Sequence, residues 1–170
     1  MRRTLIALCA LLTLVGLGVT AGTAPVSAQG LGSRYGAALT GRAQVPPVDS
    51  PGRGWASLRV SHDGKTVRFR VVAFRLSAAV TGAHIHLGHV GENGPVVVDL
   101  ADLHSATSRS HGSGYLLSGT FTASDLTGPL KGHSLADLLT DMRNRDTYVN
   151  VHTATHRDGE VRGELHRRFL

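Results

Sequence analysis

Gly82-Ala83-His84-Ile85-His86 is the stretch of this sequence with the clearest capacity for chemistry. In an extended chain residues two apart share a face, so His84 and His86 project together while Ala83, Ile85 and Leu87 point the other way. Neutral imidazole binds copper and zinc, and two of them on one face make the beginning of a metal site. Near the C-terminus, Tyr148-Val149-Asn150-Val151-His152 repeats the alternation, with Asn150 and His152 on the side opposite Val149 and Val151. If the two segments are neighbours in one sheet, His84, His86 and His152 converge. A second reading stays open beside this one: any half-buried strand alternates polar with apolar residues, and the histidines are then polar members satisfied by water or hydrogen bonds. His89, His104, His111 and His156 fall in loops or turns, as candidates for further ligands or for plain solvation.

Other chemistries find little support. Asp99 with Asp102, and Glu160 with Glu164, are carboxylate pairs, yet neither sits in a motif that would flank a reacting bond. Glu160 and Glu164 bracket Arg162 on one strand face, which reads as a surface ion network. No G-x-S-x-G, phosphate-binding loop or dinucleotide fingerprint occurs, so no catalytic residue is assigned. The single cysteine, Cys9, lies in an apolar leader with no lipidation box before it, which excludes thiol catalysis and cysteine-based zinc sites from the rest of the chain.

The elements that must position these residues are strands. Met1, Arg2 and Arg3, the apolar run Leu5 to Val19 and the small residues Val26-Ser27-Ala28 have the form of a secretory signal peptide over residues 1–28. Residues 29–34 then read as a flexible leader and 35–168 as one domain. The apolar run is about 15 residues, short of the ~18–20 that cross a bilayer, and no later segment approaches that length. The mature chain is expected outside the cytoplasm with no transmembrane segment. Without Arg2 and Arg3, 16 basic residues face 12 acidic ones, a net +4. The basic residues are scattered along the sequence, which reads as a solvated basic surface and not as a nucleic-acid interface. Gly 21 and Pro 6 among 170 residues exclude collagen and low complexity.

Short apolar-alternating runs separated by Gly, Pro and Asp predict an all-β, antiparallel fold, a β-sandwich before a barrel. Trp55 to Ser61 and Thr66 to Phe74 flank His62-Asp63-Gly64-Lys65 as a hairpin. Further strands are expected over Ala83 to Leu87, Pro95 to Leu100, Tyr115 to Thr122, Tyr148 to Thr153 and Glu160 to His166. Val67, Phe69, Val71, Ile85, Val149 and Val151 are the expected core. Ser134 caps one short amphipathic helix near residues 135–145, with Leu135, Leu138, Leu139 and Met142 on one face. Ala101 to Gly114 reads as a long loop.

Five blocks in order carry a resemblance: Leu39 to Val48, Gly82 to His86, Gly91 to Val98, Tyr148 to Thr153 and Gly159 to Leu165. Together they resemble the CHRD domain family, the domain repeated in chordin and found singly in many secreted bacterial proteins. The resemblance implies a non-enzymatic binding or envelope-associated module, with an extracellular or envelope ligand as partner. Pro46-Pro47 is read as an extended edge segment, Glu92-Asn93-Gly94-Pro95 as a turn, and Gly163 as a point of close backbone approach. The G-x-H-x-H strand and the late V-x-V-H strand are also similar to copper/zinc superoxide dismutase, an antiparallel sandwich related in outline to immunoglobulin-like folds. That similarity implies copper or zinc on His84, His86 and His152. The disulfide and the clean zinc-ligand set of that family have no counterpart here.

Overall fold

The computed structural model describes residues 32–168, and the signal-peptide reading falls on residues outside that range. The strands are β1 (Arg34–Thr40), β2 (Arg53–Val60), β3 (Val67–Phe74), β4 (Val80–Leu87), β5 (Val96–Asp99), β6 (Thr107–His111), β7 (Gly114–Phe121), β8 (Thr147–Thr153), β9 (Val161–Glu164) and β10 (His166–Arg168). One helix, α1 (Leu135–Asn144), precedes β8. All pairings are antiparallel, in the order β5-β4-β8-β9-β1-β2-β3-β7-β6, with β10 also on β1. Ile85, Val149 and Val151 from one half of this path share a single core cluster with Phe69, Val71 and Leu117 from the other. The sheet therefore curls over on itself, as the expected all-β sandwich requires.

The alternation reads correctly where one face is wet. Along β3, Val67, Phe69 and Val71 are buried while Arg68 and Arg70 are exposed. The Asp63-Gly64 hairpin forms, with Gly64 at φ 69°. Gly163 does admit a close approach, because a Cβ there would stand 2.1 Å from the Ala38 carbonyl oxygen. Pro46 and Pro47, by contrast, lie in the irregular connection from β1 to β2 and not in an edge strand.

Two further expectations are corrected. The segment 101–114 contains β6, a fully exposed strand of Thr, Ser, Arg and His whose pairing with β7 supplies the order that its composition does not. The Glu160, Arg162 and Glu164 network is interior: Glu160 and Arg162 are fully buried. Both faces of β9 are covered: Val161 enters the core, and the Glu92–Asn93 turn and Tyr148 close over Arg162. Glu160 accepts hydrogen bonds from the Ser50 hydroxyl (2.7 Å), the Ser77 amide (2.9 Å) and hydroxyl (2.8 Å), and the Thr153 hydroxyl (2.7 Å). Burial alone raises its pKa, but these donors outweigh it and hold the carboxyl below its ordinary value.

Helix α1 begins where the sequence predicts. The Ser134 hydroxyl accepts from the Asp137 amide at 3.3 Å and the Asp137 carboxylate accepts from the Ser134 amide at 3.0 Å, a reciprocal capping box. Leu135, Leu138, Leu139 and Met142 enter the core, and Arg145 ends the helix in the left-handed region at φ 69°. Ser134→Ala is expected to cost about 1 kcal/mol in urea denaturation; an unchanged midpoint would show that packing alone fixes the helix start.

Candidate metal centre

β4 and β8 are direct neighbours, with Gly82 opposite His152, His84 opposite Asn150, and His86 opposite Tyr148. His152 therefore lies diagonally across from His84 on the same face. His84 Nδ1 and His152 Nε2 are 3.0 Å apart, and one ring nitrogen from each of His84, His86 and His152 falls within 4.8 Å of the others. His86 is 8% exposed, and His84 and His152 are half-buried.

The outward nitrogens of His86 and His152 are already engaged. His86 Nδ1 bonds the Gly94 carbonyl at 2.9 Å and His152 Nδ1 bonds the Arg157 carbonyl at 2.8 Å. Carbonyls only accept, so both Nδ1 atoms carry the proton and both Nε2 atoms present a lone pair. His84 Nε2 lies 3.6 Å from the Asp99 carboxylate, beyond hydrogen-bond reach, and His84 Nδ1 donates to His152 Nε2 at 3.0 Å, a proton whose place an ion bound between the two rings would take. His86 Nε2 is buried and has no hydrogen-bond partner. A carbonyl bonded behind His86 and His152 and a carboxylate near His84, with the other ring nitrogens gathered together, form an arrangement that orients metal-binding histidine.

Burial disfavours the imidazolium form at two of the three rings. The His86 pKa is lowered to about 4, chiefly by desolvation, against the opposing pull of its Gly94 hydrogen bond. Burial lowers His84 as well, opposed by the nearby Asp99 carboxylate. Both rings are neutral, and so able to coordinate, at neutral pH. Two metal–imidazole bonds of about 2.0–2.1 Å span at most about 4.2 Å, so small ring rotations close the observed set around one ion.

Residues that the sequence pattern assigns to a surface network and a turn hold the triad in place. Tyr148 stacks on His86, with ring centroids 4.8 Å apart and planes at 9°. The Arg162 guanidinium lies 3.4 Å from the Tyr148 ring centroid. Arg162 also donates to the Glu164 carboxylate (2.8 Å), the Glu92 carbonyl (2.8 Å) and the Asn93 side-chain oxygen (3.1 Å). Arg162 thereby clamps the turn that ends in Gly94, the acceptor for His86. That turn requires glycine, because a Cβ on Gly94 would stand 1.6 Å from the Leu87 carbonyl oxygen. Its sequence signal is the Glu92-Asn93-Gly94-Pro95 turn, whose pattern marks a connection and not its hold on His86.

The loop histidines stay apart from the triad. His89 pairs with Asp146, and His156 with Ser77 and Glu160. His111 lies exposed at the end of β6. His104 joins Asp99, Asp102 and Asp125 around a cleft of about 600 Å³ that opens beside His84.

A curled antiparallel sheet with one capped helix and histidines gathered on two adjacent strands defines the class: an all-β domain of the sandwich type. The model of the CHRD domain family matches residues 35–165. The chain belongs to that family, as the five ordered blocks imply. Comparison with curated proteins gives no significant match.

Proposed function

We propose that this CHRD-domain protein is an exported module that binds one copper or zinc ion through His84, His86 and His152. The observation that carries the reading is the buried, unpartnered His86 Nε2 among nitrogens whose rings are fixed from behind. An all-imidazole donor set favours copper over zinc by the usual order of divalent affinities. When bound, copper supplies a Lewis-acidic, one-electron centre beside the partly exposed His84 edge. The chain's own residues orient the donors, exclude water from His86 and hold the His86 and His152 protons on their outward nitrogens. Export is supported by the leader pattern of residues 1–28 and by the CHRD family, whose members include many secreted proteins. Among the described residues no helix is long and apolar enough to cross a membrane.

Thermal melting of the untagged protein with Cu(II) or Zn(II) at pH 7.5 tests the site. A ligand at 100 times its Kd stabilises the folded form by about 2.7 kcal/mol, so a clear upward shift is expected, and His86→Ala or His152→Ala should abolish it. A shift that survives both substitutions would move the site to the loop histidines. No shift with either ion would leave the three as polar members of a recognition fold.

A further inference from the structure

Far along the sheet from the histidines, the register produces a row that sequence order conceals. Arg168 on β10 pairs with Arg34 on β1, Arg34 with Arg59 on β2, and Arg59 with Arg68 on β3. Directly paired residues of antiparallel strands share a face, and strands lie about 4.7–4.9 Å apart. Four guanidinium side chains thus start from one line about 14 Å long. Arg70 lies one step further along β3, on the same face. Like charges placed opposite one another destabilise a sheet, so a row of four is a cost that folding alone gives no reason to bear.

Among the described residues no acidic side chain neutralises the row. The five arginines line an open groove of about 1,130 Å³ that includes no carboxylate. Among the described residues none of the five forms an ion pair with an acidic side chain. Asp63, at the tip of the β2–β3 hairpin, is folded back onto Ser61 and the Lys65 amide. Of 18 basic residues in the chain, 13 lie elsewhere against all 12 acidic ones, so nearly all of the net positive charge sits in this groove. Trp55, 47% exposed, forms one wall, with Phe74 edge-on to it at 6.3 Å.

We propose that this groove binds an acidic polysaccharide, a glycan chain bearing carboxylates or sulfates. Guanidinium groups recognise both anions through paired hydrogen bonds. A row of charges at strand spacing suits a chain whose anionic groups recur along its length, and the Trp55 indole offers an apolar platform for a sugar ring. Single-stranded nucleic acid stacks successive bases on several aromatics; this face presents one indole, its neighbour turned edge-on. A duplex is read by an element that enters its groove, whereas the described residues that line this face all lie within strands except Ser105. The proposal is independent of the metal site, since no residue lining the groove belongs to the triad.

Binding of the purified protein to polygalacturonate and dextran sulfate at 50 and 200 mM salt tests it, with neutral dextran and an oligothymidylate as comparisons. Both acidic polymers should bind, less tightly at the higher salt, and neutral dextran should not. Arg59→Ser/Arg68→Ser should weaken binding about tenfold or more while the melting temperature stays level or rises, since like-charge repulsion is relieved. Arg70→Ser should act in the same direction, which keeps the test decisive if the double variant folds poorly. Trp55→Ala should lower affinity without changing its salt dependence. Failure of both acidic polymers to bind at 50 mM salt, equal binding by the arginine variants, or tighter binding of the oligothymidylate than of either glycan would each overturn the proposal.

Discussion

Arg162→Ala is expected to destabilise the protein by about 3–5 kcal/mol, because it strips the partner from a carboxylate already removed from water. Arg162 is fully buried, and the Glu164 side chain beside it is 13% exposed. Burial raises the Glu164 pKa, with Arg162 pulling the other way. Without the guanidinium, Glu164 must either stay charged and unpaired or take up a proton. The same substitution frees the Glu92–Asn93 turn and removes the cation from the Tyr148 ring. Metal affinity should therefore fall along with stability, by the ~10–100-fold that loss of an outer-shell partner costs. Arg162→Lys should recover only part of either loss, since an ammonium cannot match the planar fork that reaches Glu92, Asn93 and Glu164 together. Replacing both charges, as Arg162→Met with Glu164→Leu, should cost less stability than Arg162→Ala alone. Urea denaturation with copper titration measures both quantities, and an Arg162→Ala protein of wild-type stability would mean that the clamp contributes nothing.

How far such a clamp is legible in advance depends on what each strand's two faces meet. β3 has one wet face, and its Val-Arg-Phe-Arg-Val alternation reports burial faithfully. β9 alternates just as cleanly, Val161-Arg162-Gly163-Glu164, yet its polar face is roofed by the Glu92–Pro95 turn and Tyr148. A buried, fully bonded arginine and a solvated one have the same sequence pattern; only the covering loop separates them. The strand histidines fall between these cases. Their shared face follows from spacing alone, whereas their convergence depends on β4 pairing with β8, which no local signal specifies. The arginine row lies furthest from view. Arg34, Arg59, Arg68 and Arg168 are scattered in order along the chain, and a one-residue slip in any of three pairings would disperse them.

The metal-free protein should lose of order 3 kcal/mol of stability as the pH falls from about 6.5 to about 4, with His86 as the principal source. Burial holds the folded-state pKa of His86 at about 4, while in the unfolded chain it returns to ~6.5. Between those values the unfolded state takes up a proton that the folded state refuses, so unfolding is favoured as acid is added. The stabilisation is complete above pH 6.5, declines through the window and levels off near pH 4. His84, also lowered chiefly by burial, adds in the same direction. Glu160 acts in a lower range, because its depressed pKa releases stability only below the ordinary carboxylate value of 4.5. His86→Phe keeps an aromatic ring against Tyr148 but cannot titrate, so its stability should be lower at pH 7.5 and flatter between pH 6.5 and 4.5. Urea midpoints at pH 7.5, 6.5, 5.5 and 4.5 in chelator give both slopes. If wild type and His86→Phe decline in parallel, the proton uptake belongs to other groups, and the neutral, lone-pair-bearing His86 on which the metal site depends loses its physical basis.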